Sequence, residues 1–129
     1  MPAADDIAEY LEDQSLGTVG TDIFVGQLPD DPDNAICVAQ TAGKPPDYLG
    51  AQEYAGIQIR VRNTDHDTGY ALANNILDLL HGAHSLTLET RPYHRIDAQG
   101  SVSGPQIDPN DSEGRVEFTL NFIVFKDIE

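Results

Sequence analysis

Asp65-His66-Asp67 is a compact cluster of proton-transferring and metal-ligating side chains, and it follows Arg60 and Arg62 within the stretch YAGIQIRVRNTDHDTG. A histidine between carboxylates could hold zinc or serve as a general base, with His81, His84 and His94 as further ligands. Zinc needs three or four ligands converging on one point. If a helix begins at Asp65, its rise of 1.5 Å per residue separates His66 from His81 by about 22 Å. Those two cannot share a metal within one chain, so a metal-dependent hydrolase would have to gather His66, His81, His84 or His94 across subunits. A plainer role needs no partner: Asp65 caps the helix, Asp67 complements its dipole, and His66 sits in solvent.

Nucleophilic chemistry finds no better footing. Ser15, Ser85, Ser101, Ser103 and Ser112 have no elbow motif around them, and the lone Cys37 lies in the apolar run Ala35-Ile36-Cys37-Val38-Ala39, where a small buried hydrophobe fits. Gly17-Thr18-Val19-Gly20 precedes a strand pattern rather than a helix and offers an anion no helix N-terminus. The sequence therefore assigns no catalytic residue, no cofactor and no metal ligand, and the expected role is not enzymatic.

Arg60 and Arg62 carry the other chemistry. They alternate on the polar side of IQIRVR, and Arg115 and Arg95 come close to them if the last strand joins the same sheet. Such a group can pair with an acidic edge of an identical neighbour, or each arginine can pair within its own chain. On the first reading, Arg60→Glu with Arg62→Glu is expected to keep the fold and weaken assembly.

The surrounding composition sharpens the contrast. The formal net charge is −15, from 22 acidic residues against 7 Lys plus Arg in 129 residues. Counterion release from nucleic-acid phosphates cannot drive binding by such a chain. Two readings of the acidity stand side by side: a solubility surface, or adaptation to a halophilic host, where salt near 1 M shortens the Debye length to about 3 Å and screens the repulsion. The length suits one domain spanning 1–129 around a single core. MPAADDIAEY has neither a basic nor an apolar leader region, and no run nears the roughly 20 apolar residues of a membrane span. A soluble protein made in the host cytoplasm, with no membrane partner, is expected.

The elements that must position these residues follow from periodicity. Ile7, Tyr10 and Leu11 mark a short amphipathic helix over about 3–14, with Asp5 and Asp6 in its first turn. TDIFV (21–25), NAICVAQT (34–41) and YAGIQIRVRN (54–63) read as strands, the last with Ile57, Ile59 and Val61 on one face. Leu72, Ile76, Leu79 and Leu80 stripe a second helix that Gly82 ends. SLTLETRPY (85–93) is a fourth strand. GRVEFTLNFIVF (114–125) is a fifth, with Val116, Phe118, Leu120, Phe122 and Val124 sharing a face. The segments 41–53 and 94–113 read as long aperiodic loops, and loops of that length are usually functional or disordered. The expected class is α+β, a single mixed or antiparallel sheet of about five strands with two helices on one face, in the order α-β-β-β-α-β-β.

Taken in order, Ile7, Tyr10 and Leu11, then Leu16-Gly17, Gly20, Ile23-Phe24, Gly26, Pro29 and Pro32, then IQIRVR, the helix with Tyr70, Ala73, Ile76 and Leu80, and finally GRVEFTLNFIVF resemble the tail terminator proteins of long-tailed viruses, also called tail completion or minor capsid proteins. The resemblance spans nearly the whole chain. It implies a structural virion protein that assembles as a homo-hexamer ring, caps the tail tube, stops its polymerisation and joins the tail to the head or neck. Its implied partners are the tail tube protein and a neck or head-completion protein, with duplex DNA passing through the ring without specific binding. By position, it implies that the strand carrying Tyr54, Arg60 and Arg62 and the loop carrying Lys44 and Tyr48 meet a neighbouring subunit or the tube; Arg115, grouped with those arginines above, is the further interface candidate. Within the same class, a head-completion or tube subunit is the alternative. A monomeric acidic partner-binding domain is a further one.

Overall fold

The computed structural model describes residues 3–29, 32–44, 52–88, 91–107 and 114–127. Along them run α1 (Ala3–Asp13), β1 (Ile23–Val25), β2 (Ala35–Lys44), β3 (Gln52–Asn63), α2 (His66–Leu80), β4 (Ala83–Leu88), β5 (Arg91–Ala98), β6 (Ser103–Ile107) and β7 (Val116–Asp127). The seven strands make one mixed sheet in the order β1-β2-β3-β7-β5-β4, with β6 paired to β7 beside that path. The α+β class and the two helices on one face are as the periodicity predicts.

Alternation decides which face the helices cover. The two longest strands, β3 and β7, run antiparallel at the centre, with Ile57 opposite Phe122, Ile59 opposite Leu120 and Val61 opposite Phe118. On one flank β2 sets Ile36 against Val61 and Val38 against Ile59. On the other, β5 sets Ile96 against Val124. All these side chains fall on one face by the two-residue period of a strand. They form one buried cluster with Ala4, Ile7, Ala8 and Leu11 of α1 and Ala73, Ile76 and Leu80 of α2. Helix α2 approaches the sheet closely at Gly69, where a Cβ would stand 3.1 Å from the Phe118 ring and 3.0 Å from the Asn63 Cβ.

The helix boundaries obey their capping residues. The Asp65 side chain accepts the Thr68 backbone N–H and hydroxyl, closing the first turn of α2. His81 ends that helix, its backbone N–H bonded to the Leu77 carbonyl, and Gly82 follows at φ +77°, in the left-handed region that glycine occupies without strain.

Three features depart from the sequence reading. The stretch 85–93 is not one strand but the end of β4 and the start of β5. Pro92 sits opposite Thr87, before the register with β7 begins at Tyr93, so its missing N–H is not needed by that ladder. The segment 94–113, aperiodic in sequence, supplies the end of β5 and all of β6. Finally, β2 runs on to Lys44 through an irregularity between Thr41 and Lys44, and β3 already begins at Gln52. The 41–53 loop is thus mostly strand at its ends, while Tyr48 lies outside the described residues.

Candidate functional site

The face of the sheet opposite the helices carries the even-numbered residues of β3 and the odd-numbered residues of β7. Here Gln58 lies opposite Asn121, Arg60 opposite Thr119 and Arg62 opposite Glu117. Cys37 of β2 lies opposite Arg60.

β1 and β2 are parallel neighbours, which obliges the chain to return the length of the strand between Val25 and Ala35. It returns across this helix-free face. A loop laid on a sheet buries peptide carbonyls that need donors, and Arg62 supplies them. Its Nη2 donates to the Pro29 and Pro32 carbonyls at 2.6 Å each, and its Nε donates to the Asp33 carbonyl at 3.1 Å. Arg115 adds an ion pair to Asp33 at 3.5 Å. Asn34 accepts from the Thr64 backbone N–H at 3.0 Å. Arg62 and Arg115 are each only 6% exposed. The planar fork of a guanidinium suits this role better than an ammonium, because its donors are fixed toward several acceptors at once. This corrects the expectation that both β3 arginines could become glutamate without harm to the fold: Arg62 points away from the apolar row but into the crossover loop, not into water.

Arg60 behaves differently. Its guanidinium is half-buried, and its contact is Nη2 to the Cys37 Sγ at 3.9 Å, a weak acceptor. No carboxylate among the described residues pairs with it. Farther along the face, Arg95 pairs with Asp97 at 2.9 Å and lies over the Phe125 ring at 4.8 Å. Phe125 in turn meets Tyr54 edge-on at 5.1 Å. Tyr54 also faces Lys44 in the strand register. Arg60, Arg62 and Arg115 thus share one face, with Tyr54 farther along it, but Arg62 and Arg115 are engaged within the chain. The residues that the sequence left unremarked are Cys37 as the Arg60 contact and Phe125 as the platform for Arg95 and Tyr54. Only the alternation of β7 pointed to Phe125, by placing it off the core face.

The Asp65-His66-Asp67 cluster resolves into its capping role. Thr68, through its hydroxyl first and its backbone N–H second, holds the Asp65 carboxyl below its ordinary value. His66 packs edge-on against Phe118 at 5.5 Å, while its Nδ1 stands 3.3 Å from Asp67. His81 is engaged at the far end of α2, where its Nδ1 accepts the Ala98 backbone N–H at 2.9 Å. Among the described residues, no three His, Cys, Asp or Glu side chains converge as a metal site. The donors of the 17–20 turn are spent locally, with Thr18 N–H on the Asp22 carboxylate at 2.6 Å and Gly20 N–H on the Ile23 carbonyl at 2.8 Å. No helix is long and apolar enough to cross a membrane among the described residues.

Comparison with known proteins settles the class. The family model for the bacteriophage tail terminator protein matches residues 10–128. The chain belongs to that family. A terminator-family chain is a structural component of the phage tail or neck, and its place is the virion. Among solved structures, a chain of the "Virion of native gene transfer agent (GTA) particle" superposes with a TM-score of 0.59 at 18% identity, covering 84% of this chain and 81% of the other. At that identity the likeness is one of fold. No curated protein matches the chain.

Proposed function

We propose that this terminator-family chain forms a ring, with six copies as the expected number, that caps the tail tube, halts addition of tube subunits and gives the neck a surface to dock on. The observation that carries the reading is the family match across residues 10–128. Two physical features support it. A ring around passing duplex DNA must not grip phosphates, and a subunit of formal charge −15 repels rather than binds them. A cap must also hold its shape without chemistry, and among the described side chains that sequence reasoning offered for catalysis Asp65 is a helix cap, His66 a ring contact and His81 a backbone acceptor, while those of His84 and His94 lie outside the described ones.

Capping needs two unlike surfaces, one that a tube end accepts and one that a tube subunit does not. The subunit has such a pair, a face covered by α1 and α2 and a helix-free face crossed by the loop that Arg62 and Arg115 hold. The role is non-enzymatic, with the tube protein and a neck or head-completion protein as partners. The test is elongation of tail tubes from their purified subunits, with this protein added far below the subunit concentration. Tubes should stop growing, and their mean length should fall as more is added. Tubes that lengthen at an undiminished rate overturn the capping reading.

A further inference from the structure

The charges of this chain are sorted by face. Four of the five arginines, Arg60, Arg62, Arg95 and Arg115, lie on or against the helix-free face of the sheet, where the carboxylates beside them are Asp33, Asp97 and Glu117. The other face carries α1, in which Asp5, Glu9, Glu12 and Asp13 lie outside the core with no basic residue in the last turn, while Asp6 is buried. That helix turns Ala4, Ile7, Ala8 and Leu11 inward. Asp13 is exposed to solvent. A subunit with a relatively basic side and an acidic side attracts copies of itself head to tail, basic side to acidic side, and repels them in the symmetric arrangement.

Within the basic side, the arginines are not equivalent. Arg62 and Arg115 hold the crossover loop, and Arg95 has Asp97. Arg60 meets the Cys37 thiol at 3.9 Å and, among the described residues, no carboxylate, in a chain with 22 carboxylate side chains. A half-buried guanidinium has already lost part of its hydration, and a carboxylate from outside would restore what the thiol does not.

We infer that the helix-free face around Arg60 docks onto the acidic helix α1 of a second copy of this chain. Such a contact is heterologous, joining different patches of the two copies, and heterologous contacts generate rings when their rotation closes. The inference rests on the ring reading proposed above and specifies which surfaces the ring brings together.

The test uses the full chain at low salt, with assembly mass followed by light scattering against concentration. Wild type should assemble. Arg60→Glu should raise the concentration for half-assembly by about thirtyfold or more, the usual consequence of reversing a charge within a docked pair. Circular dichroism monitors its fold, and Arg60→Gln serves in its place if the glutamate variant does not fold. Asp13→Lys with Gln14→Lys, added to the Arg60→Glu chain, should recover assembly, because both positions are exposed and a cation suits a helix C-terminus. A folded Arg60 variant that assembles like wild type overturns the docking face and leaves the ring intact. Weakened assembly that the lysines fail to recover overturns α1 as the partner surface. A wild-type chain that remains monomeric at every concentration overturns the inference, while the tube-elongation experiment judges the capping role separately.

Discussion

The two faces of the central sheet are made from the same strands, yet they are held by different physics. On the helix-bearing face, Ile57, Ile59, Val61, Phe118, Leu120 and Phe122 are sealed under α1 and α2, and stability there comes from removing apolar area from water. On the opposite face, the neighbouring positions are Gln58, Arg60, Arg62, Glu117, Thr119 and Asn121, and order there comes from directed hydrogen bonds. The first kind of face tolerates changes of sequence that conserve volume. The second depends on single donors, since one arginine fastens three carbonyls of the crossover loop. A structural part that must be rigid at its core and selective at its surface can divide those tasks between the two sides of one sheet.

The sharpest way to break the apolar face is Phe122→Ala, which opens a cavity at the centre of β7 and should cost about 3 to 5 kcal/mol. The urea midpoint should fall with the slope unchanged; an unchanged midpoint would mean that Phe122 is not packed where the register puts it. On the polar face the largest effect belongs to Arg62→Ala, which leaves the Pro29, Pro32 and Asp33 carbonyls without that donor. A loss of about 3 kcal/mol is expected. Arg62→Lys should recover only part of it, because an ammonium cannot reproduce the fork. Thermal melts of the three chains give the order wild type, lysine, alanine. Equal stability of wild type and alanine variant would remove Arg62 from its place as the loop fastener.

Cys37 offers a probe of the same loop. Its side chain is fully buried and it is the one cysteine of the chain, so labelling by a disulfide reagent reports opening of the structure around it. Loosening the crossover loop by Arg62→Ala should speed labelling under native conditions, by about tenfold for each 1.4 kcal/mol lost from local opening. Phe122→Ala speeds labelling through loss of global stability instead. The two variants, compared at matched global stability, separate a local fastening from a general one. Identical rates would mean that the two faces open together.

The contrast between the faces also accounts for what could be read in the sequence. Ile57, Ile59 and Val61, and the even positions of β7, announce their strands because burial on one side imposes a period of two. Asp65 and Gly82 bracket α2 because capping is local chemistry. β6 was invisible, since Ser103-Gly104-Pro105-Gln106-Ile107 has no apolar alternation and gains its strand character from pairing with β7. The fate of Arg62 was likewise hidden. Arg60 and Arg62 look alike in sequence, two residues apart on one strand, and what separates them is a loop about 30 residues earlier in the chain. No local pattern encodes which of two such arginines a distant carbonyl will claim.

The smallest effect lies where the apolar face meets solvent, at the start of α2. Thr68 holds the Asp65 carboxyl below its ordinary value of 3.8 through its hydroxyl and its backbone N–H. A carboxyl with a depressed folded value stabilises the native state only while ionised, so its contribution is present above the ordinary value and is lost as pH falls through the folded one. Asp65→Ala should therefore lower the melting temperature at neutral pH by less than either Phe122→Ala or Arg62→Ala, and the gap between variant and wild type should narrow steadily below about pH 4. Asp65→Asn keeps an oxygen acceptor and does not titrate. Relative to that variant, the wild type should lose stability in the same acid range while the asparagine chain does not share the loss. A gap between alanine variant and wild type that stays constant from neutral pH to pH 2 would show that Asp65 acts as a neutral spacer rather than as an ionised cap, and α2 would then owe its start to packing at Gly69 and Phe118 alone.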